Sequence, residues 1–221
     1  MEFLEILYKV SLVFGAFFNA AGAALSLNHA RKARDNSLFF MLLAGFYTCL
    51  LMSFFFYIVS WFLGDYPFVF SPGDLSWIGA IIFLITADVN FTDQWTDEQK
   101  KNAKKYRLPA LAGPAVCAAF NTAYIRIYPE LLFNDILYFI PTAILSYLAL
   151  WLWLTEKKSG KALFHLTTLG WLGVQLFYDL FSNFGWDYGF AVHEVICSYL
   201  LVAVSFVLYF AAKRERALQC T

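Results

Sequence analysis

The sequence predicts an all-α polytopic membrane protein with seven transmembrane helices, and three observations lead to this prediction. Of the 221 residues, 61% are hydrophobic and only 14% are charged, whereas soluble domains carry roughly 25% charged residues. The apolar residues gather into seven runs, each near the ~20 residues that a spanning helix needs. The Lys and Arg residues collect in alternate connections between these runs, as expected of a chain that crosses a membrane repeatedly.

The seven runs form one transmembrane domain, 1–221, with helices predicted at about 4–28, 37–63, 73–91, 108–127, 130–154, 162–182 and 190–212. Gly64 and Pro67 indicate a turn after the second helix. Pro72 suits the first position of the third helix. Glu2 and Glu5 precede the first run, where a signal peptide would have basic residues. We therefore expect the first run to be a retained helix.

The distribution of cations predicts the orientation of the chain. Fourteen of the sixteen Lys and Arg residues lie in alternate connections and in the tail, within 31–34, 100–107, 157–161 and 213–216. The opposite connections contain only Lys9 and Arg126. Because short cytoplasmic loops hold the excess of Lys and Arg, the N-terminus is expected outside and the C-terminus in the cytoplasm. This arrangement requires an odd number of helices.

Composition and residue spacing argue against several classes of function. The net charge is zero, so no basic field exists to attract nucleic acid. The histidines His29, His165 and His193 fall at different predicted depths, so neither a metal site nor another cofactor is expected. No nucleophile, metal set or acid–base pair stands out, and we expect the protein not to be an enzyme.

Polar side chains recur at helical spacing toward the outer ends of several predicted helices. On the sixth helix, Trp171, Gln175 and Asp179 stand four residues apart and share one face with Tyr178. The third, fifth and seventh helices add further polar and aromatic residues. The predicted ligand contacts are Asp179, Gln175, Trp171, Tyr178, Asp135, Tyr138, Glu194 and Trp77.

These residues suggest a ligand because ionisable groups at membrane depth are costly and are often retained for function. Nine of the sixteen carboxylates fall on the predicted outer half, against two cations. Carboxylates beside aromatic rings suit a small polar or cationic ligand such as an amine. The alternative is that the polar stripes hydrogen-bond the helices to one another.

The predicted cytoplasmic side offers a second region of interest. The segment 92–107 is acidic first and basic later, and it is expected to be either a short surface helix or a solvated loop. Its cations favour anionic lipid headgroups or a cytoplasmic partner protein. Asp88 lies just before this segment, so a salt bridge to its lysines is the favoured interpretation and a proton or ion relay the alternative. Trp95 and Trp151 are expected to anchor this interface.

The segment Ser71-Pro72-Gly73-Asp74, followed by Trp77, resembles a feature of multi-helix sensory input domains of bacterial membrane signalling proteins. Those domains open a helix with Ser-Pro-x-Asp and place an aromatic residue soon after. The resemblance covers one helix and implies a sensor in the bacterial plasma (inner) membrane. In that family the last helix leads into an output domain. Here a short basic tail follows, so we expect signalling through a separate partner.

Three functions are consistent with the sequence. The leading hypothesis is a small-ligand sensor or binding subunit in the lipid bilayer, with an outward-open polar-aromatic cavity. The second is a transporter of a small polar or cationic solute, in which Pro114 and Pro141 mark flexible helices. The third is an accessory subunit of a larger membrane complex, whose polar stripes pack against a partner protein.

Overall fold

The computed structural model of the protein describes residues 2–32, 37–63, 71–92, 95, 97–127, 129, 132–156, 162–182 and 188–219. Within these residues the secondary structure is helical and contains no strand. The α-helices are α1 (Glu2–Lys32), α2 (Ser37–Leu63), α3 (Pro72–Thr92), α4 (Asp97–Lys105), α5 (Ala112–Ile127), α6 (Leu132–Glu156), α7 (Leu163–Ser182) and α8 (Tyr188–Gln219). A 3-10 turn, Pro109–Leu111, precedes α5. The all-α prediction is therefore confirmed.

Five of these helices are long and apolar enough to cross a membrane, and each contains one candidate span. The candidate spans are Phe3–Lys32, Ser37–Leu63, Pro72–Asn90, Ile136–Glu156 and Val192–Arg214. A sixth span is present if Gln99–Lys105 and Pro109–Ile127, which are bent by 58° at the break between them, are counted as one. The protein thus has five or six candidate membrane spans.

Two of the seven predicted spans, 108–127 and 162–182, are not among the five candidate spans. The physical reason differs between the two. Helix α5 has 16 residues, which at about 1.5 Å per residue is shorter than the ~30 Å hydrocarbon core. Helix α7 has 20 residues, but polar side chains such as His165 and Gln175 interrupt its apolar sequence. The number seven therefore stays a prediction.

The helices pack in a cyclic order. Each of α1, α2, α3, α6, α7 and α8 contacts the next one, and α8 contacts α1 again. Helix α5 packs against α6 and α7, and α4 packs against α6. Since each helix of the cycle has two neighbours within it, all six can turn side chains toward a shared interior.

The bundle has a buried aromatic core and an apolar outer surface. Phe39, Phe46 and Trp171 are completely buried. Phe17, Met52 and Phe55 are more than half exposed on the outside. Such large exposed apolar side chains along whole helices are unfavourable in water and favourable in lipid, which explains the low charge content of the sequence.

Glycines allow two pairs of helices to approach closely. A Cβ atom at Gly22 of α1 would lie 2.6 Å from the Tyr47 ring of α2. A Cβ atom at Gly113 of α5 would lie 2.7 Å from the backbone carbonyl oxygen of Ser146 in α6. Small residues at such crossings are typical of helix packing in membranes, where van der Waals contact drives association.

Candidate functional site

A capping box in the segment Ser71-Pro72-Gly73-Asp74 fixes the N-terminus of α3. The backbone N–H of Asp74 donates to Ser71 Oγ at 3.2 Å, and the backbone N–H of Ser71 donates to Asp74 Oδ2 at 2.7 Å. This reciprocal pair provides acceptors for two N–H groups that the start of a helix leaves without intrahelical partners. The segment that carries the resemblance to sensory domains therefore has a local role in starting α3.

The other carboxylate oxygen of Asp74 joins three helices. Tyr57 of α2 and Tyr138 of α6 each donate a hydroxyl hydrogen bond to Asp74 Oδ1, both at 3.1 Å. Ser71 Oγ also donates to Oδ2 at 2.7 Å. With four protein donors on its carboxylate, Asp74 acts as a structural acceptor between α2, α3 and α6.

A second set of polar contacts at this end of the bundle joins α7, α8 and α1. Gln175 Nε2 donates to Asp179 Oδ1 at 2.5 Å within α7. Tyr178 donates to Glu194 Oε1 of α8 at 3.4 Å, and its hydroxyl lies 3.1 Å from the hydroxyl of Tyr8 in α1. The Asp179 carboxylate thus accepts a hydrogen bond from an amide, and the Glu194 carboxylate accepts one from a phenol.

Two stacked tryptophans lie one helical turn deeper in the bundle. The rings of Trp77 and Trp171 are 6.0 Å apart and nearly parallel, at 18°. Trp171 is completely buried and donates its indole hydrogen to Ser205 Oγ of α8 at 3.0 Å. Phe46 of α2 packs edge-on against the same ring. A layer of aromatic rings therefore lies directly beneath the polar contacts, toward the middle of the bundle.

We call these residues the aromatic–carboxylate cluster: Tyr8, Trp77, Tyr138, Trp171, Gln175, Tyr178, Asp179 and Glu194. Seven of the eight residues predicted as ligand contacts belong to it. The eighth, Asp135, lies at the start of α6, and its side chain is outside the part that the structure describes. The added residue Tyr8 was missed because it occurs in an apolar run, where the sequence gives no signal that its hydroxyl meets Tyr178.

The outward-open cavity predicted from the sequence is not established. A groove of about 120 Å³ lies between α1 and α2 beside Lys9 and Trp61, and the Trp61 ring lies 6.1 Å from the ring of Tyr8, a member of the cluster. The connections 64–70 and 183–187 lie outside the described residues. Such a cavity stays a prediction.

At the other end of the bundle, where α4 lies, three ionisable side chains form a buried triad. His165 Nδ1 is 2.9 Å from Asp88 Oδ1, and His165 Nε2 is 3.6 Å from Glu156 Oε2. Trp95 donates its indole hydrogen to Glu156 Oε1 at 2.7 Å. Helices α3, α6 and α7 each supply one member of the triad.

The triad corrects the expectation that Asp88 pairs with a lysine of the following segment. Asp88 and His165 are completely buried, whereas Lys100, Lys101 and Lys104 are exposed on α4. Asp88 faces the interior of the bundle, where the imidazole is within reach and the lysines are not. This partner could not be found from the sequence, because His165 is 77 residues away along the chain.

Among the residues that the structure describes, no group of three or more His, Cys, Asp or Glu side chains has the geometry to hold a metal ion. The chain matches no family model, no curated protein and no solved structure. The class of protein is therefore defined by its helices alone, as an all-α protein with several membrane-span-like helices.

Proposed function

We propose that this is a seven-helix membrane protein that binds a small organic cation in the aromatic–carboxylate cluster and signals through a separate partner protein. The five candidate spans α1, α2, α3, α6 and α8 support the membrane assignment. Helix α5, which forms a bent pair with α4, and helix α7 complete the seven. Helix α7 packs between α6 and α8, so its polar residues face protein neighbours rather than lipid.

The observation that carries the ligand proposal is a pair of buried polar atoms beside Trp171, one on Trp77, whose ring stacks on Trp171, and one on Gln175, one helical turn along α7. Trp77 is 7% exposed and its Nε1 donor has no partner among the described residues; Gln175 is 4% exposed and its Oε1 acceptor has none either. Buried polar groups in native proteins are nearly always hydrogen-bonded. A ligand that accepts from the indole and donates to the amide would satisfy both.

The charges and rings of the cluster favour a cation. Asp179 and Glu194 supply carboxylates, and Tyr8, Tyr178 and Trp171 supply aromatic side chains. Amines and quaternary ammonium groups are attracted both to carboxylates and to the faces of such rings. We therefore expect a small amine that also carries an oxygen acceptor. Asp74 is a poorer candidate contact, because its carboxylate already accepts four hydrogen bonds.

A transporter is the second candidate, and Pro141 favours it. Pro141 lies inside α6, where it removes one backbone hydrogen bond and weakens the helix locally. Pro114, by contrast, is the third residue of α5, where its missing N–H has no intrahelical partner to lose. Of the two prolines, only Pro141 therefore interrupts a helix interior, and α6 carries both Tyr138 and Glu156.

The first test is a thermal-shift screen of the purified protein in detergent against small amines, amino acids, sugars and nucleosides. A ligand at about 100 times its Kd should stabilise the native state by ~2.7 kcal/mol. The shift should disappear in Asp179→Asn and persist in Asp97→Asn, a matched change on the exposed surface of α4.

The outcomes separate the hypotheses. A hit among amines that Asp179→Asn abolishes supports the cation site, and flux of that compound into proteoliposomes then assigns a transporter rather than a sensor. Absence of any hit, together with a protein that is stable only beside a co-purified partner, would contradict the ligand site and favour an accessory subunit.

A further inference from the structure

A charged pair lies on the surface of α1 near its N-terminus. Lys9 Nζ is 2.7 Å from Glu5 Oε1, one helical turn earlier, and the two side chains are 48% and 41% exposed. The Lys9 ammonium also lies over the Trp61 ring of α2, 4.5 Å from its centroid. An ammonium has three donors and a carboxylate accepts several hydrogen bonds. Both groups can therefore bind a further partner while they remain paired with each other.

Two apolar grooves meet at this charged pair. The larger has a volume of about 560 Å³ and runs along the outer face of α1 from Ile6 to Phe17. The smaller is the groove of about 120 Å³ between α1 and α2, whose apolar lining includes Leu12, Ile58 and Phe62. Lys9 and Val13 line both grooves. The surface therefore offers one pair of charges from which two apolar grooves lead away.

The length of α1 places the charged pair at the depth of lipid headgroups. The helix has 31 residues, and at about 1.5 Å per residue it exceeds the ~30 Å hydrocarbon core at both ends. Lys9 lies roughly 12 Å from the midpoint of the helix, close to the edge of that core, and helical side chains lean toward the N-terminus, here toward the headgroups. The larger groove extends ~16 Å from Ile6 toward the middle of the bilayer, which is about the thickness of one leaflet.

We propose that Lys9, Glu5 and the two grooves bind one diacyl phospholipid whose headgroup is zwitterionic and carries an amine. The lipid phosphate accepts a hydrogen bond from Lys9, the headgroup ammonium donates to Glu5, and the two acyl chains occupy the two grooves. In such a lipid the phosphate is joined to the glycerol and the amine is at the free end. Glu5 is one turn nearer the N-terminus than Lys9, so the order of the two charges along α1 matches the order along the headgroup.

The carboxylate of Glu5 distinguishes this lipid from an anionic one. A lone lysine at the membrane surface attracts any anionic headgroup, whereas Glu5 beside Lys9 repels a phosphate that lacks an amine and pairs with an ammonium. The proposal requires only that α1 and α2 cross the membrane, and both are candidate spans. It is therefore independent of the ligand proposed for the aromatic–carboxylate cluster and of the orientation of the chain.

The test is native mass spectrometry of the protein released from vesicles that contain equal amounts of phosphatidylethanolamine and phosphatidylglycerol with identical acyl chains. We expect the wild type to retain one phosphatidylethanolamine in preference to phosphatidylglycerol. Lys9→Gln should lower this retention by about tenfold, because a hydrogen bond to a charged group is lost, and Glu5→Gln should remove the preference between the lipids. Arg126→Gln, which removes an exposed cation of α5, and Asp179→Asn should behave as the wild type.

The sharpest variant exchanges the two charges, Glu5→Lys together with Lys9→Glu. It keeps the net charge and the pairing of residues four apart, but it reverses the order of the charges along α1. We expect it to lose phosphatidylethanolamine as Lys9→Gln does. Unchanged retention in this variant, equal retention of both lipids by every protein, or a lipid-free dimer in which a second copy covers the grooves would overturn the proposal.

A measurement on the wild type covers the case in which the variants do not fold. A phosphatidylethanolamine with a photoreactive group in one acyl chain should label the groove residues Val13 and Phe17 in vesicles. Excess phosphatidylethanolamine should suppress this labelling more strongly than excess phosphatidylglycerol does. Equal suppression by the two lipids would show ordinary contact with the surrounding bilayer and would contradict a specific site.

Discussion

Trp95 connects the buried triad to the segment between α3 and α4 through a single hydrogen bond. Its indole donates to Glu156 at 2.7 Å, and its ring packs edge-on against Trp151. The sequence predicted Trp95 as an interfacial anchor, but the side chain is 8% exposed. Its donor therefore contributes to a buried ionisable site rather than to the membrane surface.

Trp95→Phe should destabilise the protein more than Trp151→Phe. Both changes remove an indole donor, but Trp95 donates to a carboxyl group and Trp151 donates to the neutral backbone carbonyl of Ala103 at 2.7 Å. Hydrogen bonds to charged groups contribute about 1.5–3 kcal/mol and neutral ones about 0.5–1.5 kcal/mol. Thermal unfolding of both variants in one detergent measures the difference. Equal or reversed losses would indicate that Trp95 acts only by packing.

Residue spacing predicted contacts within a helix and failed for contacts between helices. Gln175 and Asp179 are four residues apart, which places them on one helical face, and their side chains are hydrogen-bonded. Asp88 and His165 meet only because α3 and α7 both face the interior. Nothing in the sequence states which helices face each other, so the triad could not be predicted.

At the scale of helices, hydropathy located the candidate spans because it is a local property. The five long apolar helices occur where apolar runs predict them. The segment 92–107 does contain the short surface helix that was one of two expectations, since α4 spans Asp97–Lys105. Its Ala103 is buried against α6 while its lysines are exposed. The break before α5 was not predicted, although Pro109 at the start of the 3-10 turn is consistent with it.

Gly113 should be essential for the contact between α5 and α6, and Gly113→Ala tests this. The new Cβ would lie 2.7 Å from the carbonyl oxygen and 2.9 Å from the carbonyl carbon of Ser146. Because these are backbone atoms, the helices must separate, and overpacking of this kind costs about 1–3 kcal/mol. We expect a lower unfolding temperature and weaker protection of α5 from proteolysis.

The matched control is Gly170→Ala in α7. A Cβ atom at Gly170 meets nothing within 4 Å, and Gly to Ala inside a helix is favourable by roughly 0.5–1 kcal/mol. The control should be neutral or stabilising under the same conditions. If both variants lost the same stability, close approach at Gly113 would not explain the result.

At the scale of the whole molecule, one face of α7 links the two ends of the bundle. His165, Thr168, Trp171, Gln175 and Asp179 recur every three or four residues, and the first four of them are at most 4% exposed. This face carries a member of the buried triad at one end and of the aromatic–carboxylate cluster at the other. A rotation or shift of α7 would therefore change both sites together, which is the kind of coupling that either a sensor or a transporter requires.

The orientation of the bundle in the membrane is predicted by the charged residues at its two ends, and it can be tested by cysteine labelling. The exposed lysines of α4 and Lys213 of α8 should face the cytoplasm, and Glu5 of α1 should face outside. In a background with Cys220→Ser, single cysteines at Glu5, Lys101 and Lys213 report the side of each position. We expect an impermeant maleimide to label Glu5→Cys in intact cells, and Lys101→Cys and Lys213→Cys only after permeabilisation.

The three positions distinguish an odd from an even number of spans as well as the orientation. Glu5 and Lys213 lie on opposite sides of the membrane only if the total number of spans is odd. Lys101 lies on the same side as Lys213 only if an even number of spans separates these two residues. With α5, α6, α7 and α8 all crossing, that number is four. Labelling of Glu5→Cys and Lys213→Cys on the same side would show an even count, which is six if the five candidate spans cross together with only one of α5 and α7. The parent with Cys220→Ser alone is the control, since Cys49, Cys117 and Cys197 lie within helices and should stay unlabelled.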